Sequence, residues 1–402
     1  MFLTAAWCKA RRIAPPLALT VDHALRENSA EEARRVATWA RAHDIPHETL
    51  IWKGPKPAEN IQARAREERY RLIGEAMRAR RLKVLLTGHT EDDQAETFLL
   101  RLARGSGVDG LSGMAPVAPF PLAEFADLTL SRPLLALSHA ELMAELTRLG
   151  QPWIEDPSNA NDRFARVKIR AARSALADAG LTPGRIAAAS AHLRRARDAI
   201  DAGVAALIAD AVDITPWGYA VAKADRIAIA PREIALRAVA RLVQALGGAA
   251  FPPRFEQTEG ILAWFEEASP RGRTLGGCRL ARRPDGTILI AREEAALAKD
   301  DPVVAVAPGA AALWDRRFEV ALSRSPGPCE VRRLGAAGLK ALGLEVQLAP
   351  VEPRRVAAAT PALWRAGRLV AAPLLGFSAP GIAVSARFVA LSRVKDPLRK
   401  HL

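Results

Sequence analysis

The chain has 402 residues, half of them apolar and a quarter charged, with a net charge of +14. That length gives room for two or three domains, and that composition excludes a disordered chain. Three scattered cysteines (Cys8, Cys278, Cys329) exclude a disulfide framework or zinc cluster and fit a reducing compartment, and no charge-free apolar run is long enough for a transmembrane helix. Lys9, Arg11 and Arg12 follow the apolar part of the N-terminus, the reverse of a signal peptide. The positive charge suits a polyanionic partner, nucleic acid before anionic membrane, although plain arginine enrichment gives the same excess.

In chain order, Met1–Arg12 reads as a helix fragment. Pro16–His23 reads as a buried strand that ends in the polar pair Asp22-His23. Ser29–His43 is expected to be a helix, with Ser29 as cap and Glu31-Glu32 in its first turn. His47–Trp52 is a second strand, Ile61–Arg80 a long basic helix and Lys83–Gly88 a third strand. Strands alternating with helices imply βαβ units and a parallel sheet with right-handed crossovers.

The next stretch carries the densest chemistry. A helix is expected from His89-Thr90-Glu91-Asp92-Asp93-Gln94-Ala95-Glu96 through Leu102, stopping at Arg104-Gly105-Ser106-Gly107. At 100° per residue, His89, Asp92, Asp93 and Glu96 fall within about 100° of arc, on one face. Two readings compete. Thr90 and Asp93 suit an ordinary capping box with an acidic first turn. The same carboxylates, at the carboxyl end of a parallel strand, suit Mg²⁺, which takes one or two carboxylates plus substrate phosphate oxygens.

Residues 108–135 are rich in Gly and Pro and read as loop with one or two short strands, ending in Arg132-Pro133-Leu134-Leu135. Ser138–Gly150 reads as an amphipathic helix stopped by Gly150. Glu155-Asp156-Pro157-Ser158-Asn159 is turn chemistry. Behind it, residues 161–200 hold nine Arg or Lys against three Asp. The helical residues Arg163, Arg166, Lys168, Arg170, Arg194 and Arg195 are candidates for RNA phosphate contacts, with an ordinary exposed face as the alternative. Leu181–Val212 is helical, Gly218–Val221 a β patch, and Pro231–Leu246 and Phe251–Glu267 further helices. Thr274–Ile290 reads as a hairpin turning at Pro284-Asp285-Gly286, and Glu293–Asp301 as a linker. The last hundred residues are Pro-rich, with strands expected at Phe318–Leu322, Glu330–Arg333 and Leu369–Ala372. Core packing is the safer reading of their aromatics, RNA binding the other.

Taken together, the motifs resemble the tRNA(Ile)-lysidine synthetases, a family of PP-loop (N-type) ATP pyrophosphatases. Those that carry the resemblance are Val21-Asp22-His23, Asn60 with Ala65-Arg66-Glu67 and Arg69-Tyr70, Thr87-Gly88-His89, and Asp92-Asp93-Gln94-Ala95-Glu96-Thr97. Arg101, Arg104–Gly107, Arg132–Leu135 and Glu155–Asn159 follow in family order. The strong match covers about residues 17–175. The resemblance implies a Rossmann-like α/β sheet of the adenine nucleotide alpha hydrolase type over 1–175. A helical tRNA-binding domain over 176–300 and a small β-rich or α+β tRNA-binding module over 301–402 would follow. It implies ATP-dependent ligation of lysine to carbon 2 of the wobble cytidine of a CAU-anticodon tRNA(Ile), through an adenylated intermediate. Asp92, Asp93, Glu96 and His89 would be catalytic, with Asp92 and Asp93 holding Mg²⁺. Asp22, His23, Arg66, Arg104, Gly105, Ser106 and Gly107 would contact ATP. The implied partners are that tRNA and free L-lysine in the cytoplasm, not a membrane, with a second copy of the chain in a homodimer as a further candidate.

One family element is absent from the 402 residues: the Ser-Gly-Gly-x-Asp-Ser loop that binds the pyrophosphate of ATP. Met1–Arg12 aligns with the helix that should follow this loop, so the first strand and the loop are expected to lie ahead of residue 1. A misassigned start or truncated chain is expected over a relic that binds RNA without ATP, since loss of a central strand would leave two unpaired edges. A related thiolase would need catalytic cysteines, and none of the three sits in these motifs.

Overall fold

The computed structural model describes residues 1–25, 28–54, 56, 59–154, 165–267, 271–343 and 353–390. They form two compact units, the first holding Met1–Arg197 and the second beginning at Asp198.

The first unit is α/β. In chain order its elements are α1 (Phe2–Ala10), β1 (Ala18–Asp22), α2 (Ser29–Ala42), β2 (His47–Ile51), α3 (Ile61–Ala79), β3 (Val84–Leu86) and α4 (Glu91–Leu102). The short α5 (Val108–Leu111), β4 (Val117–Pro119) and β5 (Thr129–Ser131) follow, then α6 (His139–Arg148), α7 (Ala165–Ala171), α8 (Arg173–Asp178) and α9 (Pro183–Ala211), which spans the division between units. β1 pairs in parallel with β2, Ala18 opposite His47. β3 pairs in parallel with β5, Val84 opposite Thr129, and β4 lies antiparallel on the far side of β5.

One core serves both sheets. Tyr70, Ile73 and Met77 share a face of α3 and pack with Phe120, Phe125, Leu128 and Leu130, joined by Leu19, Val21, Leu50 and Leu85 from the strands. Gly74 lets Phe125 lie against α3, because a Cβ there would sit 2.7 Å from its ring. The strands are less covered than their apolar sequences predict. β1 pairs only with β2, and β3 only with β5, among the described residues, so each keeps one edge free. Val84 stays 54 % exposed and Leu86 43 %. The expected buried strand Pro16–His23 is half-buried apart from Asp22.

The second unit is α+β. Strands β6 (Val212–Ile214), β7 (Tyr219–Lys223), β8 (Arg273–Leu275), β9 (Cys278–Arg282) and β10 (Thr287–Arg292) form an antiparallel sheet in the order β6-β7-β10-β9-β8. Helices α10 (Ala224–Ile229), α11 (Arg232–Leu246), α12 (Phe255–Glu266) and α13 (Glu294–Asp300) accompany it. Beyond lie β11 (Val304–Val306), β12 (Ala310–Trp314), β13 (Phe318–Arg324), β14 (Cys329–Arg333), α14 (Gly335–Ala341), α15 (Pro353–Ala358), β15 (Pro361–Arg365), β16 (Arg368–Ala372), β17 (Phe377–Ser378) and β18 (Ala383–Phe388). These strands make two antiparallel sheets, β12-β13-β18 and β11-β14-β15-β16-β17. Leu236, Val239, Leu242, Val243 and Leu246 line the buried face of α11 and join Ile288, Ile290, Trp314 and Phe318 in a continuous core. At its heart Asp315 accepts from Arg292 Nε at 3.1 Å and from Arg317 Nε at 2.6 Å. Burial pulls the Arg317 guanidinium pKa down while Asp315 opposes the shift.

Several expectations are corrected. Residues 293–301 are not a linker, because Glu294–Asp300 is helical. Val212 leaves the preceding helix because it pairs with Ala222 of β7. The expected hairpin has a second turn at Gly276-Gly277, whose φ values of 55° and 76° suit only glycine readily, so it is a three-stranded meander. Asn28, not Ser29, stands at the cap position of α2, and no side-chain cap bond forms.

Gly247 makes the tightest approach in the second unit: a Cβ there would lie 2.0 Å from the Gly276 carbonyl oxygen. Gly247→Ala is expected to lower stability by about 1–3 kcal/mol in urea unfolding. Gly260→Ala, inside α12 with open space around it, should raise stability by up to about 1 kcal/mol.

Candidate active site

The site is built at the carboxyl ends of β1 and β3. Asp22 closes β1, is buried, and accepts the Ala24 N–H at 2.8 Å. His23 follows; its Nε2 receives Arg69 Nε at 3.3 Å and Nη2 at 3.2 Å. Burial first, then the Arg69 charge, lower the His23 pKa. Arg66, one turn earlier on α3, lies over the Tyr70 ring at 5.0 Å.

After β3 the chain turns through Thr87 and His89 into α4. Thr87 Oγ1 and His89 Nδ1 are 2.9 Å apart. Thr90 is the N-cap, so His89 precedes the helix instead of lying on its face. Asp93 Oδ2 accepts from Thr90 N at 2.8 Å and Thr90 Oγ1 at 3.1 Å, completing a capping box. Its Oδ1 takes no hydrogen bond among the described residues.

Asp92 and Glu96, 9 % and 8 % exposed, point to the side where α7 and α8 pack. Asp92 Oδ2 accepts the His139 N–H at 2.6 Å, which ties α4 to the start of α6, and Oδ1 accepts from Arg173. Glu96 takes both of its hydrogen bonds from Arg170, through Nε and Nη2. Those bonds, opposed by burial, hold the Arg170 pKa above its ordinary value. Two buried carboxylates thus pair with two guanidiniums, and all four line a cavity of about 40 Å³ walled also by Leu99, Leu176 and Ile186. Glu91 beside them is pushed up, first by burial and then by Asp92 and Glu141.

The loop after α4 is held from two sides. Arg101 Nη1 donates to the Gly110 carbonyl at 2.7 Å, and the Gln94 amide exchanges bonds of 2.8 and 2.7 Å with the Met114 backbone. From α9, Ser190 Oγ donates to Leu111 O at 3.0 Å and Arg194 Nε to Ser112 O at 3.2 Å. The loop residues Arg104, Gly105 and Gly107 stay open to solvent, with Ser106 half-buried and Gly105 at φ 73°.

The structure therefore pairs Glu96 with Arg170 and Asp92 with Arg173, while Asp93 uses Oδ2 in the cap of α4. Of the sequence-derived RNA candidates, Lys168 and Arg195 are exposed, while Arg170 and Arg194 are engaged as described. Arg163 and the Glu155–Asn159 turn lie outside the described residues, and Arg166 lies in α7. Arg173 and the Gln94 clamp were not singled out from sequence; only the basic run around Arg173 signalled it. For a divalent cation the donor at hand is Asp93 Oδ1, since the cap bonds use Oδ2; Asp92 would join it only on giving up Arg173, and substrate phosphate oxygens would complete the shell.

A PP-loop domain family model matches residues 1–174. A tRNA(Ile)-lysidine synthase of Ruegeria pomeroyi is 37% identical over 365 residues, covering 89% of this chain and 81% of its own length. One from Methylobacterium nodulans is 42% identical over 252 residues (62% and 73%), and one from Anaplasma marginale 33% over 322 (79% and 67%).

The capping box gives a direct test. Thr90→Ala should cost about 1 kcal/mol in urea unfolding, whereas Thr90→Asn should cost a few tenths at most.

Proposed function

The chain belongs to the tRNA(Ile)-lysidine synthase family, and from that premise we infer how its residues serve ATP-dependent lysidine formation. The cytidine O2 attacks the α-phosphorus of ATP; an O–P bond forms and pyrophosphate leaves. A lysine amine then attacks carbon 2. The C–N bond forms, AMP departs with the original oxygen, and the amine gives up a proton. The base then pairs with A in place of G.

Adenylation gathers negative charge on phosphate, so its catalysis is chiefly electrostatic. Asp93, with one free oxygen at the start of α4, and Asp92 beside it are the residues that would hold Mg²⁺. Bound there, the ion would neutralise the leaving pyrophosphate. Asp22 and His23 at the end of β1, with Arg66, would border the nucleotide. Arg104 would meet its phosphates or substrate, with Gly105–Gly107 allowing close backbone approach. Glu96, once released by Arg170, would receive the lysine ammonium or its proton. Lys168 and Arg195 would meet RNA phosphates, with 176–300 and 301–402 as RNA-binding regions. A cytoplasmic location follows from the substrates in this proposal. Among the described residues no helix is long and apolar enough to cross a membrane. The observation that carries the reading is the long alignment to the Ruegeria relative together with carboxylates and arginines converging on α4.

The test incubates ATP, labelled lysine and CAU-anticodon tRNA with the 402 residues, and with the same residues preceded by the in-frame upstream reading. Lysine incorporation by the longer form supports the proposal. Binding of tRNA without incorporation by either form favours an RNA-binding relic. In the active form Asp93→Asn keeps an oxygen for the cap but removes the charge. It should slow adenylation by on the order of 10²-fold or more with tRNA affinity unchanged; full activity would contradict the assignment.

A further inference from the structure

The second unit holds a cavity of about 250 Å³ that none of the chemistry above uses. Its floor is one face of the β9–β10 ladder. Ala281 stands opposite Leu289 and Arg279 opposite Ala291, so the four side chains share that face at period two. Alanine at two of these positions makes the floor flat and apolar. Val356 of α15 covers one side.

The rim is unusual in its charge. Arg279 and Arg355 line it, and so do Glu293 and Glu294 at the start of α13. None of the four side chains makes a hydrogen bond or ion pair among the described residues. The remaining lining arginine is already committed: Arg292 donates to Asp315 and Asp300. Two open cations and two open anions thus ring an apolar floor without neutralising each other.

A bare phosphate would meet the two carboxylates unfavourably, and an apolar ligand would leave all four charges unanswered. Guanine answers both signs at once. Its N1–H and N2 amino donors match a carboxylate, its O6 and N7 accept from arginine, and its flat face suits the alanine floor. We propose that this cavity binds an unpaired guanosine nucleotide of RNA, with the base on the β9–β10 face, its donor edge on Glu293 or Glu294, and Arg279 and Arg355 on its O6/N7 edge and phosphate. The RNA source rests on the tRNA reading above; the base selectivity does not.

The experiment follows the methyl resonances of Leu289, Ala291 and Val356 in the whole labelled chain during titration with GMP, IMP and AMP. These probes report this cavity and not the nucleotide site of the first unit. GMP should bind about tenfold tighter than IMP, which lacks only the 2-amino group, and AMP weaker still. The double variant Glu293→Gln with Glu294→Gln should abolish the GMP–IMP difference, and Arg279→Ala should weaken both nucleotides. Equal shifts from all three nucleotides or from inorganic phosphate would overturn the proposal in favour of a simple anion site. Shifts from free lysine but not GMP would overturn it in favour of a zwitterion site. GMP binding with the methyls unmoved by tRNA would overturn the RNA source while the tRNA(Ile)-lysidine reading is judged separately by lysine incorporation.

Discussion

The first turn of α4 sets the geometry on which the site depends. Thr90 and Asp93 satisfy each other's backbone N–H groups, which fixes the start of the helix at Glu91 and keeps it from slipping by a residue. A shift of one residue would rotate Asp92 and Glu96 by about 100°, away from Arg173 and Arg170. The local cap and the distant ion pairs therefore specify the same register. Asp92 adds a third restraint by accepting the first N–H of α6.

Charge balance explains why such acidic sequence is tolerated in a buried position. Removing two carboxylates from water is costly unless each is paired and hydrogen-bonded. Here Arg170 and Arg173 supply the pairing from α7 and α8, and both remain partly exposed, at side-chain exposures of 40% and 56%. Partial exposure limits how much either pair adds to stability. It also leaves the arginines able to exchange a carboxylate for another anion without a large desolvation cost. A chain carrying a charge of +14 and acting on RNA has such anions at hand.

Local chemistry was legible in the sequence. The capping box of Thr90 with Asp93 and the stop at Gly150 follow from residues within a few positions of one another, whereas the cap of Ser138 with Glu141 and the apolar face of α3 emerge only in the structure. The site contacts that were not legible lie far apart in the chain. Glu96 and Arg170 are separated by 74 positions and Asp92 and Arg173 by 81, and no spacing rule joins them. Arg101, which the sequence offers only as one of the family motifs, turns back to clamp the following loop. The exposure of Val84 and Leu86 is not legible in local hydrophobicity, because coverage of a strand depends on what packs against it from elsewhere in the fold.

The central claim is that cytidine O2 is adenylated and leaves with AMP. It is tested most directly with CAU-anticodon tRNA carrying ¹⁸O at carbon 2 of the wobble cytidine, incubated with the active form, ATP and lysine. The account predicts that each lysine incorporated releases one AMP bearing the ¹⁸O. Lysine incorporation with ¹⁸O appearing in water or pyrophosphate, and none in AMP, would contradict it.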